Sequence, residues 1–216
     1  MMISLLTGIL HAERPVRILY FHAPVNAPKK ASVYGAGKML AETELPRDNF
    51  SESFEIPDGN LNLSFLPSAL EEGAKPPKNA PSVAISENWS KVLLLVQEDK
   101  SNAAMPIKLM AIDASDNVFG PGSIYMMNLS TIRIGGTLGN KELDLKPRSV
   151  QIVKSPSAKD GYYPAILYAQ IKKGEKPQRF IKQMWGHDDN IRKVLFVLPK
   201  PPPHYATYYS APIRDF

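Results

Sequence analysis

Short apolar runs alternate with polar residues along most of this chain, and nearly every run stops at Pro or Gly. Leu61, Leu63 and Phe65 alternate with Asn60, Asn62 and Ser64, between Pro57-Asp58-Gly59 and Pro67. Ile132 and Ile134 flank Arg133 before Gly135-Gly136, and Leu143 and Leu145 alternate with Asp144 and Lys146 before Pro147. A period of two puts successive side chains on opposite faces of a strand, so one face packs and the other meets water. Recurrence of that pattern at short intervals predicts an all-β protein of sandwich or barrel type, and we read it as a β-sandwich. Val92-Leu93-Leu94-Leu95-Val96 is apolar throughout, as expected of a strand covered on both faces. Pro outnumbers Gly, 20 to 13, which suits a fold with many connections and with edges that resist extra pairing.

A chain of 216 residues holds one large β domain or two small ones. Turn formers are densest in Asp-Ala-Ser-Asp-Asn-Val-Phe-Gly-Pro-Gly, residues 113–122, and the alternation restarts after it. The two halves also resemble each other. Phe54-Glu55-Ile56-Pro57 leads into residues 60–67, and Leu143-Asp144-Leu145-Lys146-Pro147 leads into residues 149–156. Aromatic-led apolar strands follow at 89–96 and 162–171. The expected organisation is two tandem Ig-like or sandwich-like units, over residues 13–116 and 117–200, with a Pro-rich extended tail over 201–216. Asp58-Gly59, set between alternating runs, predicts a hairpin joining residues 51–56 to 60–66.

Residues 3–10 are a short apolar stretch followed by Ala12 and a polar start. Residues 1–12 therefore read as the remnant of a secretory signal peptide, which implies export. Elsewhere no stretch reaches the roughly 18 apolar residues that a membrane-spanning helix needs, so no transmembrane span is expected. Val16-Arg17-Ile18, His22-Ala23-Pro24-Val25-Asn26-Ala27-Pro28 and Ala31-Ser32-Val33-Tyr34 follow in order. This opening resembles a family of secreted bacterial β-sandwich domains of unknown function. Those begin with a Val-Arg-Val strand, then His-Ala-Ser-Pro-Asp-Ala-Pro, then a Val-Asp-Val-Tyr strand. Here the Ser between Ala and Pro is absent, and Asn26 and Ser32 stand where the pattern has Asp. The resemblance implies an extracytoplasmic location, in the periplasm or at the bacterial cell surface, and a non-catalytic role.

The chemistry-bearing residues are sparse. There are no cysteines, so disulfides, thiolate catalysis and Cys-ligated zinc are excluded. The net charge of +5 is dispersed rather than gathered into a stripe with stacking aromatics, which argues against nucleic acid as a partner. No Gly-x-Ser-x-Gly elbow is present, and Gly35-Ala36-Gly37-Lys38 lacks the spacing of a phosphate loop. Asp113, Asp116 and Asn117 do not match a calcium loop. The strongest constellation is Trp185-Gly186-His187-Asp188-Asp189-Asn190, between two predicted strands. Its imidazole, carboxylates and amide are the groups that bind divalent cations, and its Trp is the kind that stacks on sugars. The same residues also make an ordinary polar turn beside a core Trp. Trp185, His187, Asp188 and Asp189 are thus the candidate binding residues, and no catalytic residue, metal site or cofactor is assigned.

Asn49, Asn62, Asn88 and Asn128 each begin an Asn-x-Ser triplet, which matters only in a eukaryotic secretory pathway. The expected function is non-catalytic binding or scaffolding in the bacterial envelope, with an envelope protein or polysaccharide as partner. A carbohydrate-binding module is one alternative, and it requires Trp185 or Trp89 to be exposed and coplanar with other aromatics. A hydrolase is another, and it requires His187 and Asp188 in a concave pocket with a third polar group.

Overall fold

The computed structural model describes residues 13–171, 174–214 and 216; the expected signal-peptide remnant, residues 1–12, lies outside them. The chain divides into two compact units, the first ending at Asp113 and the second spanning Ala114–Phe216. Each is an all-β unit of eight strands in two four-stranded sheets.

Unit 1 contains β1 (Glu13–Tyr20), β2 (Lys30–Gly35), β3 (Lys38–Glu44), β4 (Phe54–Pro57), β5 (Leu61–Leu66), β6 (Ser82–Ile85), β7 (Val92–Glu98) and β8 (Ile107–Asp113). One sheet has the order β4-β1-β7-β8, the other β3-β2-β5-β6. All pairs are antiparallel except β1 with β7, where Val16 lies opposite Val92 and Tyr20 opposite Val96. Inward-facing residues of both sheets share one core: Val16, Ile18, Val92 and Leu94 from the first, Val33, Leu63, Phe65 and Ile85 from the second. Each such residue removed from water contributes about 1.5–3 kcal/mol. The apolar run of β7 is buried from Val92 to Val96, because β7 is central in its sheet and covered on both faces.

Unit 2 opens with one helical turn, α1 (Asp116–Phe119), followed by β9 (Ile124–Asn128), β10 (Arg133–Leu138), β11 (Lys141–Leu145) and β12 (Val150–Val153). Then come β13 (Gly161–Gln170), β14 (Gln178–His187), β15 (Arg192–Pro199) and β16 (Ala206–Ile213). Its sheets are β12-β9-β15-β16 and β11-β10-β13-β14, and the parallel pair is β9 with β15. Renumbered from one within the unit, this is the order of unit 1 strand for strand. Arg192 fastens α1 to the sheet. Its Nη1 donates to the carbonyls of Ala114 (2.7 Å) and Phe119 (2.5 Å), its Nη2 donates to Asp116 (2.8 Å), and its guanidinium lies over the Phe119 ring. Those bonds carry the boundary back to 113/114 from the expected 116/117.

Three sequence expectations are corrected. The Pro-rich segment does not begin a surface tail, because Ala206–Ile213 is β16, paired along its whole length with β15. A central β15 needs a neighbour on each side, and Tyr209 stacks on Phe196 across the pair. Asp58-Gly59 does not close a hairpin, because β4 pairs with β1 while β5 pairs with β2 and β6. Gly59, at φ +93°, instead turns the chain from one sheet to the other. The halves do repeat, but the correspondence is shifted from the expected one, by one strand for β11 and β12 and by two for β13. β11 matches β3 and β12 matches β4, so Asp160-Gly161 at the start of β13 matches Asp58-Gly59 before β5. Likewise Leu195 and Val197 of β15 match Val92 and Leu94 of β7, each pair facing the core of its own unit. Among the described residues no helix is long and apolar enough to cross a membrane.

Candidate functional site

Strand β14 ends at His187 and the loop to β15 begins with Asp188. His187 is buried, at 7% exposure, with its ring edge-on to that of Tyr163. Its Nε2 lies 2.8 Å from Oδ1 of Asp189, not from Asp188. The Asp189 amide in turn donates to Asp160 Oδ1 (2.7 Å), which brings in a carboxylate from the turn before β13. Asp188 looks elsewhere: its Oδ1 accepts from the Asn190 amide (2.8 Å) and its Oδ2 lies 3.8 Å from Arg214. The expected His187–Asp188 pair is therefore replaced by His187–Asp189 with Asp160. Side chains two positions apart share a side and adjacent ones do not. The donor atoms of Asp160, His187 and Asp189 all lie within 4.8 Å of one another.

Trp185 is half-buried and packs on the unit 2 core, as does Tyr208 from β16. Their ring centroids are 5.2 Å apart with planes tilted by 42°. Both donate to one acceptor, Gln183 Oε1: Trp185 Nε1 at 3.3 Å and the Tyr208 hydroxyl at 2.9 Å. Trp185, Tyr208, Gln183 and Lys193 line a depression of about 370 Å³. Lys193 donates to the Gly186 carbonyl, and burial pulls its pKa down against the opposing pull of Asp188. Two tilted rings bracing the gap between edge strands do not form the coplanar exposed platform that the sugar reading required of Trp185. Trp89 is likewise half-buried, against the unit 1 core.

A second feature was not anticipated. Gly135-Gly136 does not stop a strand but lies within β10. On the outer face of its sheet these glycines help form a pocket of about 500 Å³, bordered by Arg133, Asp144, Tyr168, Gln170, Lys176 and Pro177. Gly136 has φ +145°, and a Cβ there would stand 2.0 Å from the Ile166 carbonyl oxygen. Gly135 is different: its Cβ would meet nothing closer than 3.7 Å, and its missing side chain leaves the hollow. Arg133 closes one side with a bidentate pair to Asp144, Nε–Oδ1 and Nη2–Oδ2 both at 2.5 Å. That pair holds the Asp144 carboxyl below the usual carboxylate range and raises the guanidinium. Glycines inside an alternating strand were the available signal, since they mark close backbone approach as well as turns.

Asn128, the first residue of one Asn-x-Ser triplet, is fully buried. Its Nδ2 donates to the carbonyls of Ile132 (2.7 Å), Leu145 (3.3 Å) and Lys146 (3.0 Å), and its Oδ1 accepts from Ser130. It is a fastening of the β9–β10 connection, closed to modification in the folded chain. No model of a known protein family matches the chain, and no curated protein matches it.

Proposed function

We propose that the chain is a non-catalytic binding protein of the bacterial envelope, exported from the cytoplasm and engaging an envelope protein or polysaccharide through unit 2. The glycine-floored pocket on the outer face of β10 carries this reading. Its volume falls in the range of ligand pockets, about 300–1,000 Å³. Its walls combine an aromatic ring, a proline, an amide and fixed charges. Such a hollow accommodates one ring-shaped group, either a sugar residue of a polymer or a side chain of a protein partner. The apolar segment at residues 3–10 and the resemblance of residues 16–34 to secreted domains support the envelope location. The hydrolase alternative is weakened, because His187 turns to Asp189 rather than to Asp188. The carbohydrate alternative moves from Trp185 to Tyr168.

The test is co-sedimentation with insoluble cell-wall polysaccharide and, separately, cross-linking to solubilised envelope proteins of the source. Each is performed with the unaltered chain, Gly135→Leu and Trp185→Phe. Gly135→Leu fills the pocket from a position with room for a side chain. Retention that is lost in Gly135→Leu and kept in Trp185→Phe is the expected result, and the arm in which it occurs names the partner class. Retention unaffected by Gly135→Leu, or absent from both arms, overturns the reading. Full-length chain found only in the cytosolic fraction overturns export.

A further inference from the structure

The repeated topology allows one corner to be compared between the units. Val16 lies opposite Val92 facing the core of unit 1, and Met126 lies opposite Leu195 facing the core of unit 2. Two residues earlier, Arg14 and Ile124 are therefore equivalent, opposite Ile56 of β4 and Val153 of β12. In unit 1 the Arg14 guanidinium is buried, at 3% exposure, between two loops. From the β4–β5 turn it takes the carbonyls of Pro57 (2.9 Å) and Gly59 (2.6 Å), with Asp58 at 3.7 Å from Nε. From the β6–β7 loop it takes the carbonyls of Ser86 (2.6 Å) and Trp89 (3.3 Å). A cation thus joins these two loops at the start of the first strand.

In unit 2 that cation is absent from the sequence, since Ile124 stands at the position of Arg14. The two equivalent loops instead bring anionic and imidazole ligands to the same corner. The β12–β13 turn supplies Asp160, the counterpart of Asp58, and the end of β14 with its following loop supplies His187 and Asp189. Among the described residues neither Asp160 nor Asp189 is paired with Lys or Arg. Gly122, at φ +72°, lets the backbone approach: a Cβ there would stand 3.3 Å from Asp189 Oδ1 and 3.5 Å from the His187 ring.

We propose that Asp160, His187 and Asp189 bind a first-row divalent transition-metal ion such as Zn²⁺, which joins the two loops of unit 2 as the Arg14 guanidinium joins those of unit 1. Nε2 of His187 and Oδ1 of Asp189 are 2.8 Å apart, and rotation of the exposed Asp189 carboxylate opens them to the roughly 3.4 Å that tetrahedral ligands with bonds of about 2.0–2.2 Å require. The carboxylates of Asp160 and Asp189 are exposed and free to close the remaining distance. One imidazole with two carboxylates selects zinc and its neighbours over Ca²⁺ and Mg²⁺, which take oxygen ligands. A water completes the tetrahedral set.

The test is calorimetric titration of the tag-free full chain with Zn²⁺, and with Ca²⁺ in parallel. One equivalent of Zn²⁺ is expected to bind with micromolar affinity or better. Asp160→Asn and Asp189→Asn should each weaken it about tenfold or more, with the near-ultraviolet spectrum unchanged. Absence of saturable binding up to about 1 mM Zn²⁺, equal affinity in the Asp189→Asn chain, or tighter binding of Ca²⁺ than of Zn²⁺ overturns the proposal. The asparagine variants are nearly isosteric and lie at exposed positions, so they remove the ligand charge while the fold is kept.

Discussion

Replacing Arg14 by Met should loosen unit 1 and leave unit 2 unchanged. Four carbonyls, those of Pro57, Gly59, Ser86 and Trp89, receive hydrogen bonds of 2.6–3.3 Å from its two Nη atoms. A hydrogen bond to a charged group contributes about 1.5–3 kcal/mol net. Four such bonds cannot be summed, because burying the guanidinium opposes them; that same burial pulls its pKa down, with Asp58 pulling the other way. Breaking a buried ionic arrangement from one side costs about 3–5 kcal/mol where the remaining partners stay dry. Here Asp58 is half exposed and the carbonyls belong to turns that water reaches once the side chain shortens, so the expected loss is near the lower bound, about 3 kcal/mol. With a urea slope of about 1.5 kcal/mol per molar for a unit of this size, the midpoint falls by about 2 M. Arg14→Lys keeps the charge but not the fork, and should lose about half as much.

The chain has two tryptophans, Trp89 in unit 1 and Trp185 in unit 2, so each unit carries its own fluorophore. Unfolding followed by fluorescence in a Trp185→Phe background reports unit 1, and in a Trp89→Phe background unit 2. A midpoint shift below about 0.5 M for unit 1 would show that the guanidinium fork does not hold the corner. An equal shift in both backgrounds would refute its confinement to unit 1.

Gly136→Ala should cost unit 2 at least about 3 kcal/mol, because the new Cβ would meet the Ile166 carbonyl at 2.0 Å and φ is +145°. Gly135→Ala, one residue earlier, should change stability by less than about 1 kcal/mol, and urea titration of the two variants separates the cases. Asn128→Ala removes three donated bonds and one acceptor from a dry position and should cost about 3 kcal/mol by the same measurement. Asp144 should titrate below the ordinary carboxylate range by NMR and return to it in Arg133→Met. Since its folded pKa is depressed, its contribution is present above the unfolded value and disappears as pH falls through the folded one. A titration unchanged by Arg133→Met would contradict the bidentate pair.

The strands were legible because their signal is local. Leu61-Asn62-Leu63 and Leu143-Asp144-Leu145 announce a buried face within a few residues, and β5 and β11 form there. Strand pairing was not legible. Nothing near Val16 points to Val92, and nothing near Asp58-Gly59 distinguishes a hairpin from a crossing between sheets. β6 escaped notice because four residues, Ser82–Ile85, are too short to establish a period. In the site, the His187 loop was visible as a cluster of polar residues, but its partner depended on which side each residue faced. Asp160 comes from 27 positions earlier than His187, and only the fold brings it there. Arg14 gave no signal at all, since a charged residue at a strand entrance is as often solvated as buried.

The parallel pairs β1–β7 and β9–β15 set a timetable. Val16 finds its partner Val92 only after 76 further residues have been made, and Tyr125 waits 69 for Val194. At synthesis rates of about 5–20 residues per second, the first strand of unit 1 spends about 4–15 s with one flank open. β4, its other neighbour, arrives sooner but spans only Phe54–Pro57. During translation each unit is therefore a late-closing ring of contacts, fastened by its seventh strand.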